Sequence, residues 1–327
     1  MKSWRKHIRR VLSVALSLVL LWISFRGVDW KFFVRSLSSC DWWYLLLSAA
    51  VGAVMPACRA FRWRHMVLPF APRVGRKESV LANYTAYLFN MAVPYTHEAT
   101  RCIIIHRSES GRDAPYDKLV GVAVTERICD GICAILILIA TIAFSWERYG
   151  GFIAGNSEGR GIIKVLVVFT VLILAAVVAD LATRRMKAES RIIQSVRKFF
   201  DGMHEGLTSI FNLERPIVFT METVVLWIIY WLQLYLASRA VPGLDGVGAL
   251  DCLFLTLGGL LSTIIPVPGG MGAYHYVIAS ALAYLCGTGW SEGMAFATLV
   301  HESQAICMML LGASSIALLP SSVRKRT

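Results

Sequence analysis

Residues Lys118–Phe144 read KLVGVAVTERICDGICAILILIATIAF. At about 1.5 Å rise per residue, a helix of this length reaches roughly 40 Å, more than the ~30 Å hydrocarbon core of a bilayer. From Ile132 to Phe144 the stretch holds no charge and no helix breaker, whereas its first half carries Glu126, Arg127 and Asp130. Glu126 and Asp130 stand at i and i+4, so they share a helix face. Each such charge costs about 2.5–3.5 kcal/mol at a lipid-exposed helix centre. The group therefore has to face protein, water or a polar ligand. Internal ion pairing between helices and a polar ligand site are both open readings.

Outward from this stretch, further apolar runs of spanning length cover residues up to Phe25, 42–58, 162–183, 216–238 and 291–319. The first follows Lys2, Arg5, Lys6, Arg9 and Arg10 and meets Arg26-Gly27 with no small-x-small cleavage site, so it reads as an uncleaved helix. Two other apolar stretches are short. Residues 79–93 end at Pro94, and residues 250–265 run into Pro266-Val267-Pro268-Gly269-Gly270-Met271-Gly272. Proline removes a helical donor and glycine frees the backbone, so both stretches are expected to be re-entrant broken-helix hairpins. The expected fold is an all-α polytopic membrane protein with about six spanning helices plus two re-entrant hairpins. The chain reads as one integral membrane domain over 1–327, with halves of about 1–160 and 161–327 and no soluble catalytic domain.

Composition agrees. Apolar residues make up 56% and charged residues 17%, against about 25% charged in soluble domains. Mean hydropathy is +0.59. These values exclude a secreted disulfide scaffold and a conventional soluble enzyme. The net charge of +12 sits between apolar segments, where it sets orientation and meets anionic lipid rather than nucleic acid. With both hairpins re-entrant and the N-terminus inside, 25 of the 33 Lys and Arg fall on the cytoplasmic side and seven outside, Arg127 lying within a helix. Both termini are then cytoplasmic, and a bacterial inner membrane is the expected location. The eight cysteines include no CxxC pair and read as small buried apolar residues.

Under that topology the two hairpins enter from opposite sides. Each precedes a long helix with polar residues in its first half, and Pro94 to Glu126 and Pro266 to Glu302 span 32 and 36 residues. This is the pattern of an inverted-topology repeat whose broken helices meet near the midplane. Two basic segments, 59–70 and 184–215, read as lying on the membrane surface.

The candidate substrate-binding residues fall into four groups. The first is Glu126, Arg127 and Asp130. The second lies in Asn90–Arg101, NMAVPYTHEATR, where Glu98 and Arg101 are i and i+3; Arg101 either pairs with Glu98 or presents a guanidinium fork to a phosphate. The third is Gly269, Gly270 and His275, whose backbone either forms a tight bend or offers free amides, with a helix starting near Met271, to an anionic headgroup. The fourth is His301, Glu302 and Gln304. A zinc-protease H-E-x-x-H reading fails because the fifth position is Ala305. No nucleotide motif is present, no catalytic residue is assigned, and no metal and no cofactor are expected.

Taken together, Arg59-Ala-Phe-Arg62-Trp63, Asn90 with Pro94, Glu98-x-x-Arg101, Glu126-Arg127-x-x-Asp130, Pro266-x-Pro-Gly-Gly-x-Gly and His301-x-x-Gln304 resemble the flippase-like transmembrane domain of lysylphosphatidylglycerol synthases. The resemblance extends from about residue 10 to 320. It departs at Tyr95-Thr96-His97, where family members carry an arginine and glycines, and His97 is the candidate replacement. The resemblance implies translocation of an anionic or aminoacylated phospholipid, or a polyprenyl-linked lipid, without lipid aminoacylation. A membrane-embedded enzyme acting on a lipid headgroup, or a non-catalytic membrane subunit, are the alternatives. The implied partner is membrane lipid; no protein partner or oligomeric state is legible.

Overall fold

The computed structural model describes residues 2–111, 114–149, 194, 201 and 213–319, with side chains from Val14 onward. The described residues are helical, with no strand among them. In chain order the helices are α1 Lys2–Phe25, α2 Trp30–Ser38, α3 Trp42–Val67, α4 Arg76–Ala92, α5 His97–Arg107 and α6 Tyr116–Phe144, followed by α7 Pro216–Ala240, α8 Ala249–Ser262, α9 Ala273–Cys286 and α10 Trp290–Leu318. Four of them, α3, α6, α7 and α10, are long and apolar enough to cross a membrane. Their outward faces expose large apolar side chains, among them Leu46, Val54, Leu136, Ile139, Ile217, Met221 and Leu310. In water a belt of this kind is an aggregation liability, whereas hydrocarbon is its natural solvent. The expected span 162–183 and the basic segment 184–215, apart from the short described pieces, lie outside the described residues.

Local chemistry sets the helix starts. Asp29 caps α2 by accepting from the Lys31 and Phe32 amides, and Asp41 caps α3 through the Trp43 amide. Pro115 stands just before α6, and Pro216 opens α7.

The two short pairs break where the prolines predict. Val93, held extended by Pro94, ends α4, and the chain turns through Tyr95 at φ 62 before α5 begins. Asn90 Oδ1 accepts from the Thr96 amide at 3.2 Å, and Thr96 Oγ1 donates to the Val93 carbonyl at 2.7 Å, so side chains satisfy the broken backbone. The second break runs from Ser262 through a short 3-10 turn, Pro268–Gly270, to α9. Each pair folds back on itself, α4 on α5 and α8 on α9. The breaks meet: Tyr95 donates its hydroxyl to the Ile264 carbonyl, and α4 lies against the Pro268–Gly270 turn. The helix α1 closes the second break from outside. Gly272 has φ 82, and a Cβ there would sit 2.7 Å from Leu20 Cβ, so only glycine allows α1 this close. Ser24 Oγ seals the contact by donating to the Gly272 carbonyl at 3.1 Å.

Two apolar cores lie at opposite ends of α3. Leu45 joins Leu234, Leu255, Ile278, Phe296 and Val300 of α7–α10. Trp63 and Met66 join Ala82, Ile104, Ile105, Leu119 and Val122 of α4–α6. Eighteen residues of helix separate Leu45 from Trp63, about 27 Å. Between them the buried residues of α3 include the polar Ser48, Arg59 and Arg62 beside Gly52 and Pro56. Pro56 sits inside the helix, where it cannot donate to the turn before it. α4 packs on the same stretch, with Tyr84 donating to Ala53 O and Asn83 to Pro56 O, both at 2.6 Å.

The segment 59–70 thus departs from the surface placement expected of it. α3 runs on to Val67, with Arg59 and Arg62 buried, because α6 offers carboxylates to pair with them. With Arg59, Arg62 and Arg101 buried, three of the 25 basic residues are not loop charges. α9 begins at Ala273, two residues beyond Met271, in keeping with the start expected there.

Candidate functional site

Three arginines converge on two carboxylates in the N-terminal half. Arg59 and Arg62 come from α3, Arg101 from α5, and Glu126 and Asp130 from one face of α6. Arg62 Nη2 donates to Asp130 Oδ1 at 2.6 Å and to Glu126 Oε1 at 3.0 Å. Arg59 Nη2 donates to Asp130 Oδ2 at 3.0 Å, while its Nη1 donates to the Tyr230 hydroxyl of α7 at 3.1 Å. Arg101 Nη2 donates to Glu126 Oε2. Arg101 also lies over the Trp63 ring, 4.9 Å from its centre, and Arg62 over Phe219 at 5.9 Å. All five charged residues are buried. Their formal sum is +1, and Arg59 Nε, Arg62 Nε and Nη1, and Arg101 Nε and Nη1 make no hydrogen bond among the described residues. Removing one partner from such a cluster strands a buried charge and costs about 3–5 kcal/mol.

Arg127 follows Glu126 directly, so α6 turns it to a different face. There it meets Glu98 at the start of α5, Nε donating to Oε1 at 2.7 Å with Nη2 on the same oxygen. This pair is open, its side chains 40% and 30% exposed. His97 Nδ1 lies 3.3 Å from Glu98 Oε1, and its ring packs on Tyr87. The expected Arg101–Glu98 alternative is therefore replaced by a crossed arrangement: Arg101 pairs with Glu126 and Glu98 with Arg127. Arg101 is buried against Glu126 and Trp63, whereas Glu98 keeps exposed surface beside Arg127.

The second break builds a different cluster. Gly269 contributes its carbonyl, which lies 2.8 Å from His301 Nε2, and Gly270 lies beside the same ring. The Gly270 amide donates to Val267 O at 3.2 Å and the Met271 amide to Pro268 O at 3.2 Å. These amides serve the turn itself, so the free-amide reading of the glycines does not hold for Gly270. His301 Nδ1 lies 3.0 Å from Glu302 Oε1, and His275 Nε2 lies 3.7 Å from that oxygen. His275 is buried and Glu302 exposed. One turn on, Gln304 Oε1 accepts from Gln233 Nε2 of α7 at 3.1 Å, both against Gly52 of α3.

A third polar knot was not legible in the sequence. Asp251, buried in the first turn of α8, accepts from Arg148 Nε and Nη2 at 2.8 Å each, from the Tyr149 hydroxyl at 2.9 Å and from the Gly248 amide at 2.9 Å. It ties the chain just beyond α6 to the start of α8. Burial and the hydrogen bond to Asp251 push the Tyr149 phenol above its ordinary value. Arg59, Arg62 and Tyr230 were likewise not among the sequence candidates. The available signal was spacing: Leu45, Ser48, Gly52, Pro56, Arg59, Trp63 and Met66 follow one helical stripe.

The long apolar helices, their exposed apolar faces and the buried charge layer define a multi-pass, all-helical membrane protein. The family model described as Lysylphosphatidylglycerol synthase TM region matches residues 10–312, and the chain belongs to that family. It is a membrane, lipid-related protein. No curated protein and no solved structure matches the chain.

Proposed function

We propose that this protein moves a lipid between the leaflets of a bacterial inner membrane, passing its headgroup along the polar layer while the acyl chains stay in lipid. The Arg127–Glu98 pair carries this reading. Arg127 stands on α6, a helix of spanning length, Glu98 lies at the start of α5 just past the first break, and both are part-exposed. A charge left open on such a helix costs about 2.5–3.5 kcal/mol on insertion. The buried Arg59, Arg62 and Arg101 recover that cost through their carboxylates, whereas Arg127 and Glu98 retain exposed surface that a headgroup offsets by binding. Arg127 takes the anionic phosphate, and Glu98 takes a cationic portion of the headgroup or carries coupling protons. Asn90 and Gln304 border the path from the two breaks, and the sealed Arg101, Glu126 and Asp130 hold its wall.

In this reading the α4–α5 and α8–α9 pairs are re-entrant, the two halves form an inverted repeat, six helices span, and both termini are cytoplasmic. The equal order of elements in the halves supports it: long helix, short helix, break, short helix, long helix. The substrate class is an anionic or aminoacylated phospholipid or a polyprenyl-linked lipid.

A headgroup-modifying enzyme is the second reading, favoured by one observation: His301 and Glu302 are in contact at an exposed position, as an acid–base pair requires. Proteoliposomes holding fluorescent phosphatidylglycerol, its aminoacyl ester, a zwitterionic phospholipid and a polyprenyl phosphate separate the readings. Leaflet exchange of one lipid without chemical change supports translocation and names the class. Conversion of a labelled lipid with turnover, and no exchange, replaces it with the enzyme.

A further inference from the structure

Gly269, His275, His301 and Glu302 pose a question that headgroup contact does not answer. The Gly269 carbonyl can only accept, so the 2.8 Å contact with His301 requires Nε2 to carry a proton. A neutral His301 then presents the lone pair of Nδ1 to Glu302 Oε1 at 3.0 Å. Two acceptors do not sit at that distance unless a cation lies between them or one of the two groups carries an additional proton. His275 adds a second imidazole. It is 1% exposed, its Nδ1 has no partner among the described residues, and its Nε2 lies 3.7 Å from Glu302 Oε1, wider than a hydrogen bond. One donor atom from each of the three residues lies within 4.8 Å of the others.

We propose that His275, His301 and Glu302 bind a divalent first-row transition-metal ion of the zinc class. Two imidazole nitrogens and one carboxylate oxygen suit such an ion, whereas a hard ion such as magnesium prefers oxygen ligands. The Gly269 carbonyl orients His301 by accepting its outer N–H, as the partners of metal-bound histidines do. Three protein ligands leave one tetrahedral position open. Glu302 is the most exposed of the three ligands, so a water or a headgroup oxygen can take the fourth position. A spacing search along one helix does not find this site, because His275 comes from α9 and the other two ligands from α10.

The inference does not depend on lipid movement, so its test reads metal directly. Tag-free protein in lipid nanodiscs is stripped with a chelator, then titrated with Zn2+ by calorimetry and with Co2+ by visible absorption; Mg2+ is the control. The expected result is one Zn2+ per chain, a Co2+ spectrum of a low-coordinate N,O site displaced by Zn2+, and no Mg2+ binding. Glu302→Gln and His301→Gln are each expected to weaken Zn2+ by at least about 10–100-fold, the loss seen on removing even an orienting partner of a metal ligand. His275→Gln provides the buried ligand's counterpart, and His65→Gln, at a histidine paired with Glu222 elsewhere, leaves binding unchanged. Because Glu302 is exposed, Glu302→Gln is expected to stay folded even if His275→Gln does not. No stoichiometric Zn2+ on the wild type, or wild-type affinity in Glu302→Gln and His301→Gln, overturns the proposal and leaves a charged His301 paired with Glu302.

Discussion

Glu126 lies ten residues along α6 and Glu302 twelve residues along α10, and each helix follows a broken pair. The two positions nevertheless have opposite fates. Glu126 is fully buried, held by Arg59, Arg62 and Arg101 from two other helices. Glu302 is exposed, in contact with its neighbour His301 and facing His275. The same order of elements thus spends its mid-helix charges in two ways. In the N-terminal half they fasten α3, α5 and α6 together, and only Arg127 with Glu98 remains open. In the C-terminal half fastening falls to apolar packing, to the glycine turn that α1 covers and to Asp251 at the start of α8, while the mid-helix Glu302 stays accessible.

The comparison breaks first, and by the largest effect, at Glu126. Glu126→Gln leaves three buried guanidiniums facing one carboxylate and is expected to destabilise the protein by about 3–5 kcal/mol, read as loss of monodisperse protein in detergent and a large fall in thermal midpoint. Adding Arg101→Met to that variant is expected to recover part of the loss, since the pair removed together strands less charge than either alone. Equal stability of Glu126→Gln and wild type would show that the sealed cluster does not hold the half together. Glu302→Gln is its counterpart and is expected to leave the thermal midpoint nearly unchanged.

Next comes the cover over the second break. Gly272→Ala places a Cβ against Leu20 at a positive φ and is expected to cost about 2–4 kcal/mol through strain and overpacking. A thermal melt beside Gly243→Ala, where φ is 87 but nothing lies within 4 Å, separates the two causes. Asp251→Asn weakens the Arg148 and Tyr149 bonds that join the halves and is expected to cost about 1–3 kcal/mol. Hydrogen exchange should localise that effect to the start of α8. Arg127→Ala is likewise expected to change stability little, by under about 1 kcal/mol for a part-exposed pair.

Much of the fold is legible in the sequence because its signals are local. Runs of apolar residues gave α3, α6, α7 and α10, and Pro94 and Pro266 with the glycines after it marked both breaks. The site was legible only in its residue types. Glu126, Arg127 and Asp130 had to find partners, but the sequence does not say which arginine faces which carboxylate; that depends on how α3, α5 and α6 rotate against one another. Arg59 and Arg62 were misplaced for a related reason. Beside Arg64 and His65 they look like a basic membrane-surface segment, and only the carboxylates on α6, more than sixty residues away, keep them in the bundle. Asp251, alone among apolar neighbours, gave no sign that Arg148 and Tyr149 would close on it.

The central claim is that the sealed cluster holds the protein together while the open Arg127–Glu98 pair works. Leaflet exchange by Arg127→Ala in proteoliposomes, on protein whose thermal midpoint is measured in the same preparation, tests it most directly. The account predicts a midpoint close to wild type and exchange reduced to the rate of protein-free vesicles. Wild-type exchange by the folded variant would contradict it and remove the pair from the lipid path.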